Sequence, residues 1–267
     1  MGLLLLGRTA GDGHDLRSGT VPVVDLLAPL LRLPGVEQST VDTRRDVDQL
    51  LGHRVLRRSS AAVSGESALR GARASAELAG VTYALADLRT DAPDDPVLQG
   101  TLRISVALGP LLAVWSRAPL QVLARLHALA AYGLVPADRL GRPRAGHDSA
   151  RLAALAELAL APTAAPAVVV AAVVHGELLA MEPFGAADGV IARAAQRLVL
   201  VDRGLDPKAV SVPEVGHVEL ASDYAAAAAG YASGEPAGVA QWLLHCCAAV
   251  SLGAREGTAV CQAVLRS

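Results

Sequence analysis

Aromatic side chains are nearly missing from this chain: one phenylalanine, two tryptophans and four tyrosines in 267 residues, 3% of the total. An interior without large ring anchors must be filled by Ala, Leu and Val, because the chain is still 52% hydrophobic, and that composition favours closely packed helices. Lysine is scarcer still. Lys208 stands alone in Asp206-Pro207-Lys208 with no glycine-rich loop before it, which excludes Schiff-base chemistry and a P-loop nucleotidase. Cysteine is confined to Cys246, Cys247 and Cys261, an odd number with two adjacent members, which does not make a disulfide framework and points to a reducing compartment. Neither sign of charge prevails, 24 basic residues facing 26 acidic ones, so the electrostatic footprint of a nucleic-acid binder or of a protein on an anionic membrane is lacking. Hydrophobic runs are short. Leu3 to Leu6 falls below a signal peptide's apolar core and has no basic segment before it, so the start reads as cytoplasmic. Ile104 to Trp115 and Ala164 to Val174 fall below the ~20 residues of a membrane span and read as core.

Known chemical signatures are also missing. No His-Glu-x-x-His pattern links His14, His53, His127, His147, His175 and His217, and His175 reads as a satisfied core histidine. His245-Cys246-Cys247 with Cys261 lacks metal-ligand spacing, since neighbouring helical residues point ~100° apart, and the cysteines read as small buried hydrophobes. Gly7, Gly11 and Gly13 after Leu3 to Leu6 have the wrong spacing for a dinucleotide fingerprint, and His14 to Pro22 is no helix of a βαβ unit. Gly65-Glu66-Ser67-Ala68-Leu69 fails as a nucleophile elbow at its last position.

What remains is helical. The first fifty or so residues are turn-rich, with Pro22, Pro29 and Pro34 among the glycines, and helical patterns run from about Val41 to Leu88. Asp91 to Pro96 breaks the chain, and further helices are expected over Leu98 to Trp115 and Leu120 to Tyr132. Pro136 to Asp148, with Arg139-Leu140-Gly141-Arg142-Pro143-Arg144, reads as an exposed loop or short hairpin whose arginines carry little stability. Helices resume at Ser149. Ala167 to Met181 is apolar almost all round, as a central buried helix would be, and the next helix spans about Gly189 to Arg203, ending at Gly204 before Pro207.

Between those last two helices lies Glu182-Pro183-Phe184-Gly185-Ala186-Ala187-Asp188-Gly189-Val190-Ile191-Ala192-Arg193. It resembles the motif of the Fic family, His-Pro-Phe-x-(Asp/Glu)-Gly-Asn-Gly-Arg-x-x-Arg, at Pro183, Phe184, Gly189 and Arg193. The Ala-rich helix carrying His175 before it and the tyrosine-bearing Asp223-Tyr224 segment after it are similar to the family too, over roughly Pro96 to Val250. Ser75-Ala76-Glu77-Leu78-Ala79-Gly80 looks like the family's inhibitory-helix sequence, with Ala79 where that helix carries the glutamate that engages the motif's second arginine.

The resemblance implies an all-α fold: a Fic-like helical core over 96–267, an N-terminal helical extension over 1–95 and a loop or short β-hairpin flap near Arg139 to Arg144. It also defines what is lost. Glu182 replaces the histidine that acts as general base, Ala186 replaces a Mg²⁺-binding carboxylate, and Val190 replaces the first phosphate-binding arginine. By the resemblance, Gly185, Asp188, Gly189 and Arg193 would bind a ligand, with Glu182 at the catalytic position and no metal site. Each has a plainer structural role. Asp188 before Gly189 makes a good helix N-cap, and Arg193, with Gln196 and Arg197 on its helical face, suits an ion pair with a carboxylate such as Glu182. The implied function is a catalytically degenerate Fic-like protein that binds a nucleotide-like ligand or a protein partner, self-associating as the family often does. The alternative is a Fic-fold transferase of altered chemistry. No residue pattern identifies a cofactor.

Overall fold

The computed structural model describes residues 25–266, so the glycine-rich start and Leu3 to Leu6 lie outside the described residues. Among the described residues there are eleven α-helices and no strand: α1 (Val36–Leu51), α2 (Ser60–Glu77), α3 (Leu85–Thr90), α4 (Pro96–Trp115), α5 (Pro119–Ala130), α6 (Ser149–Leu160), α7 (Ala167–Met181), α8 (Asp188–Asp202), α9 (Pro213–Glu219), α10 (Ala221–Ser233) and α11 (Pro236–Val264).

The centre is α7. Every residue from Ala167 to Leu178 is buried, the outcome expected of a helix with no polar stripe. It packs against α8 and α11, with α10 and α6 on its remaining sides. Its one carboxylate, Glu177, is fully enclosed and doubly held. Arg151 Nε of α6 lies 2.7 Å from one oxygen, and the Tyr231 hydroxyl of α10 donates to the other at 2.9 Å. A buried charge so partnered fixes where α6 and α10 dock, because displacing either leaves Glu177 unpaired. The Tyr231 hydroxyl is in turn pushed well up by burial and by Glu177.

With few rings to space them, the helices approach closely. The helical patterns expected from Val41 to Leu88 resolve into α1, a 3₁₀ turn at Arg54–Arg57, α2 and α3, and α1 begins earlier, directly after Pro34-Gly35. Val36, Val47, Leu50 and Val63 from these elements join the same hydrophobic cluster as α7, α8 and α11. The three cysteines are free and buried in α11.

Two expectations are corrected. The segment Arg139 to Arg144 forms no hairpin: it is a loop with a 3₁₀ turn at Ala137–Arg139, and the nearest pairing is an isolated bridge between Tyr132 and Val135. Lacking alternation of apolar residues, it has no face with which to pack a strand. Ile104 to Trp115 is only partly core. Ile104 and Trp115 are buried, but Val106 between them is 81% exposed, because α4 lies on α2, α5 and α8 and covers nothing on its other side. α4 and α11 are each long and apolar enough to cross a membrane by length and composition; α11 is mostly buried and α4 is not.

The tightest approach is between α9 and α11, where a Cβ on Gly216 would stand 2.0 Å from the Ala249 carbonyl oxygen. Backbone cannot yield as a side-chain tip can. Gly216→Ala is therefore expected to cost about 3 kcal/mol or more, read as a lowered urea midpoint with unchanged slope, whereas Gly65→Ala, whose Cβ meets nothing within 4 Å, should be neutral or stabilising.

Candidate functional site

The turn from α7 to α8 gathers the sequence's candidate residues into one place. Glu182, Gly185, Asp188, Gly189 and Arg193 all line an open cleft of about 330 Å³, joined by Ala186, Ala187 and Val190 and, from the end of α2, by Leu78 and Ala79. The segment similar to an inhibitory helix thus lies against the motif.

The loop is built from left-handed residues. Glu182, the C-cap of α7, has φ 43°, Gly185 φ 74° and Ala187 φ 57°. For Glu182 and Ala187 that conformation costs on the order of 1 kcal/mol each, since their Cβ atoms crowd the following carbonyl. Arg144 holds the turn. Its backbone N–H donates to the Pro183 carbonyl at 2.8 Å, its Nε to the Glu182 carbonyl at 2.8 Å and its Nη2 to the Met181 carbonyl at 3.3 Å. These are carbonyls at and just past the end of α7, where a cation also complements the helix dipole. Arg144 is therefore not the dispensable loop arginine expected from its neighbourhood, although Arg142 is exposed as expected. Gly185 is required here twice over, by its φ and because a Cβ would meet Arg144 Cδ at 3.1 Å. A second brace comes from α5. The ring of His127 stacks on Phe184 at 4.5 Å, and its Nδ1 accepts the Gly141 N–H at 2.9 Å.

Asp188 corrects the expected cap. It is the first residue of α8, with Ala187 at the N-cap position, and its carboxylate reaches back into the loop: Oδ1 accepts the Phe184 N–H at 3.0 Å and Oδ2 the Gly185 N–H at 2.7 Å. The reason is the left-handed Ala187, which turns the chain so that the loop amides are nearer than those of the following turn. Burial pushes this carboxyl up to about 6 and Glu182 adds to the rise, while the two amides and Arg144 oppose it.

Arg193 corrects the other pairing. It is 2% exposed and bonds no carboxylate; its Nε donates to Ser75 Oγ at 3.0 Å, its Nη2 to the Ser75 carbonyl at 2.9 Å and its Nη1 to the Tyr224 hydroxyl at 3.4 Å. Glu182, the expected partner, is exposed on the cleft. Behind Arg193 lies a neutral polar network. The Tyr224 hydroxyl lies 2.7 Å from His175 Nε2, His217 Nε2 lies 2.9 Å from Gln196 Oε1, and His217 Nδ1 lies 3.1 Å from His245 Nε2. Burial, with Arg193 second for His175, drives His175 and His217 well below the usual imidazole range. His175 is thus core, with Tyr224 as its partner. Arg197, one turn on from Arg193, does take a carboxylate: Glu214 of α9, at 3.2 Å.

Chemically the cleft offers the first-turn N–H groups of α8 at Gly189 and Val190, two carboxylates, and small apolar walls. A nucleotide–Mg²⁺ group, which a Fic-like fold implies, does not fit these residues. Ala186 has no side-chain oxygen for the metal, each Asp188 oxygen already accepts a backbone amide, and three of the five N–H groups of Arg193 are taken by Ser75 and Tyr224. Of these residues Ser75 and Arg144 were not readable as site-builders, because their partners lie 118 and 38 positions away in the chain.

No protein-family model matches the chain, and no curated protein matches it. Its structure is similar to the crystal structure of a Fic family protein from Desulfovibrio desulfuricans G20, with a TM-score of 0.66 over 83% of this chain and 74% of that one, at 18% identity. The fold is Fic-like and all-α.

Two outcomes follow from the loop. Ala187→Gly, which places glycine where the family's motif has one, should raise stability by about 1 kcal/mol in chemical denaturation, since glycine takes a positive φ without crowding. Asp188 gives a pH signature. Its carboxyl titrates near 6 folded against 3.8 unfolded, so between those values the folded state binds the extra proton and is stabilised as pH falls. The stability of the parent chain relative to Asp188→Asn should therefore increase as pH is lowered from neutral towards 4, measured as the difference between two denaturation series; a difference that shrinks would contradict the raised value.

Proposed function

We propose that this chain is a Fic-fold protein that does not transfer AMP and that uses the α7–α8 cleft to bind a ligand or a partner's side chain. The reading rests on one observation: the guanidinium of Arg193, the motif's surviving arginine, is buried and bound by Ser75 and Tyr224. The substitutions around it support the same reading. Glu182 stands where active relatives carry the histidine that takes a proton from the target hydroxyl, and Val190 and Ala186 offer neither charge nor oxygen. Transfer needs the phosphates held in line by charge-stabilising groups, and here two carboxylates face the anion's place. The protein acts as a binding or interaction module, in a cytoplasmic setting consistent with three free cysteines.

A second reading is favoured by the openness of the cleft. A pure scaffold has no need of about 330 Å³ lined by Glu182 and Asp188, and a carboxyl near 6 beside a carboxylate is an acid–base pair in principle. On that reading the chain is a transferase of altered chemistry, with Glu182 as base.

The readings separate experimentally. With α-labelled ATP and Mg²⁺ the purified protein should label neither itself nor added proteins, and calorimetry should detect no tight nucleotide binding. Glu182→His alone should remain inactive, because the three losses act as a unit and repairs of single members of such a unit do not add. Label transfer by the parent chain that disappears in Glu182→Ala would overturn the leading proposal and establish the second.

A further inference from the structure

A second hollow, sharing no residue with the α7–α8 cleft, lies between α2, α4 and α8. It holds about 120 Å³ and has an apolar wall of Leu108, Leu112, Leu198 and Val201. Three features at its border have no other use in the fold. Gly109 lies inside α4, where glycine weakens a helix relative to alanine, yet a Cβ there would meet no atom within 4 Å, so no packing within the chain calls for its absence. Ala209 is held left-handed at φ 51°, a conformation that residues other than glycine keep mainly at ligand and active sites. Arg197 is 6% exposed and only partly matched. Its Nη1 pairs with Glu214 and its Nη2 donates to the Ala209 carbonyl at 3.3 Å, while its Nε–H meets no acceptor among the described residues.

We propose that this hollow is a binding site for a small uncharged alcohol, with an apolar body of about six carbon atoms and one hydroxyl. Size sets the body: an apolar cavity of comparable volume takes up a molecule such as benzene. At Ser105 and Arg197 the hollow continues into a narrower space of about 20 Å³, room for no more than a water, so the polar end of a ligand belongs there. The side chains at that junction set the head group. Arg197 can only donate, and it needs an oxygen. Ser105 already donates to the Leu102 carbonyl at 2.8 Å and Ser64 to the Ala209 carbonyl at 3.4 Å, so each hydroxyl is left to accept. One O–H meets both demands, accepting from Arg197 and donating to a serine. A carboxylate meets only the first, and it would bring a second negative charge beside buried Glu214, which already neutralises Arg197. Gly109 then has a purpose, since any side chain there would extend along the edge of the space the ligand's body takes.

Titration of n-hexanol into the full chain carrying isotope-labelled leucine and valine methyls should shift Leu108, Leu112, Leu198 and Val201 along one saturable curve, with a Kd of about 1 mM or lower. Gly109→Leu should abolish that response while leaving the chain at least as stable to urea, because it replaces a glycine inside a helix. Ser64→Ala combined with Ser105→Ala should weaken binding by about three- to tenfold through loss of the acceptors. Hexanoate should bind at least about tenfold less tightly than hexanol. No saturable shift, or shifts confined to Leu102, Leu111 and Leu129 of the groove between α4 and α5, would overturn the proposal. So would undiminished binding by Gly109→Leu or by the double serine variant, or hexanoate binding more tightly than hexanol.

Discussion

The guanidinium of Arg193 organises the structure around it, because a buried cation without a carboxylate must be satisfied by dipoles, and those dipoles come from different helices. Ser75 supplies a hydroxyl and a carbonyl from α2, and Tyr224 a hydroxyl from α10. Removing a charge from water costs several kcal/mol, so each donor or acceptor that meets it is held in place. Its reach extends further through sign. Burial, to which this fixed positive charge adds, keeps His175 and His217 neutral and lets them serve as donor and acceptor in a chain that links α7, α9 and α11 through Tyr224, Gln196 and His245. The interior of an aromatic-poor protein is thereby given a polar seam that specifies which helices meet.

That arrangement determines what the cleft can be. A helix N-terminus beside an arginine is an anion site in most settings. Here the arginine is buried and bonded to Ser75 and Tyr224, and the loop amides at Phe184 and Gly185 are met by Asp188, an anion belonging to the chain. The left-handed Glu182 and Ala187 are sustained by Arg144 and by the His127–Phe184 stack. The turn is thus held in its left-handed course from outside, by α5 and by the loop that carries Arg144.

The helices were legible because their signals are local. Ala167 to Met181 reads as buried from composition alone and is so through Leu178, and the expected helix boundaries at Ser149 and Arg203 are kept to within a residue, α6 beginning at Ser149 and α8 ending at Asp202. The candidate residues were legible as a motif, and they do converge on one cleft. Their partners were not. Sequence spacing suggested a helix cap for Asp188 and an ion pair for Arg193, because those are the nearest conventional uses of such residues. The actual contacts depend on the left-handed turn at Ala187 and on a serine 118 positions away, neither of which leaves a periodic trace. Arg144 was hidden for the same reason, as nothing in a Gly/Pro-punctuated basic run distinguishes the arginine that caps a distant helix from the one that faces water.

The shortage of aromatics bears also on the outside of the molecule. A core of Ala, Leu and Val fills space with small units, so a helix can be docked by half its surface and still carry apolar residues on the other half. α11 uses nearly its whole girth, with Trp242, Leu243 and Val250 buried. α4 does not, and its exposed Val106 lies on the side remote from the core. Single apolar residues on a surface need no explanation, but a groove of this size beside one, bounded by opposite charges at the helix ends, is the kind of patch that marks an interaction surface. The cleft and this face are built by different elements, α7 and α8 for the one and α4 and α5 for the other. A substitution at either one therefore leaves the packing of the other in place while the Arg193 seam holds the fold.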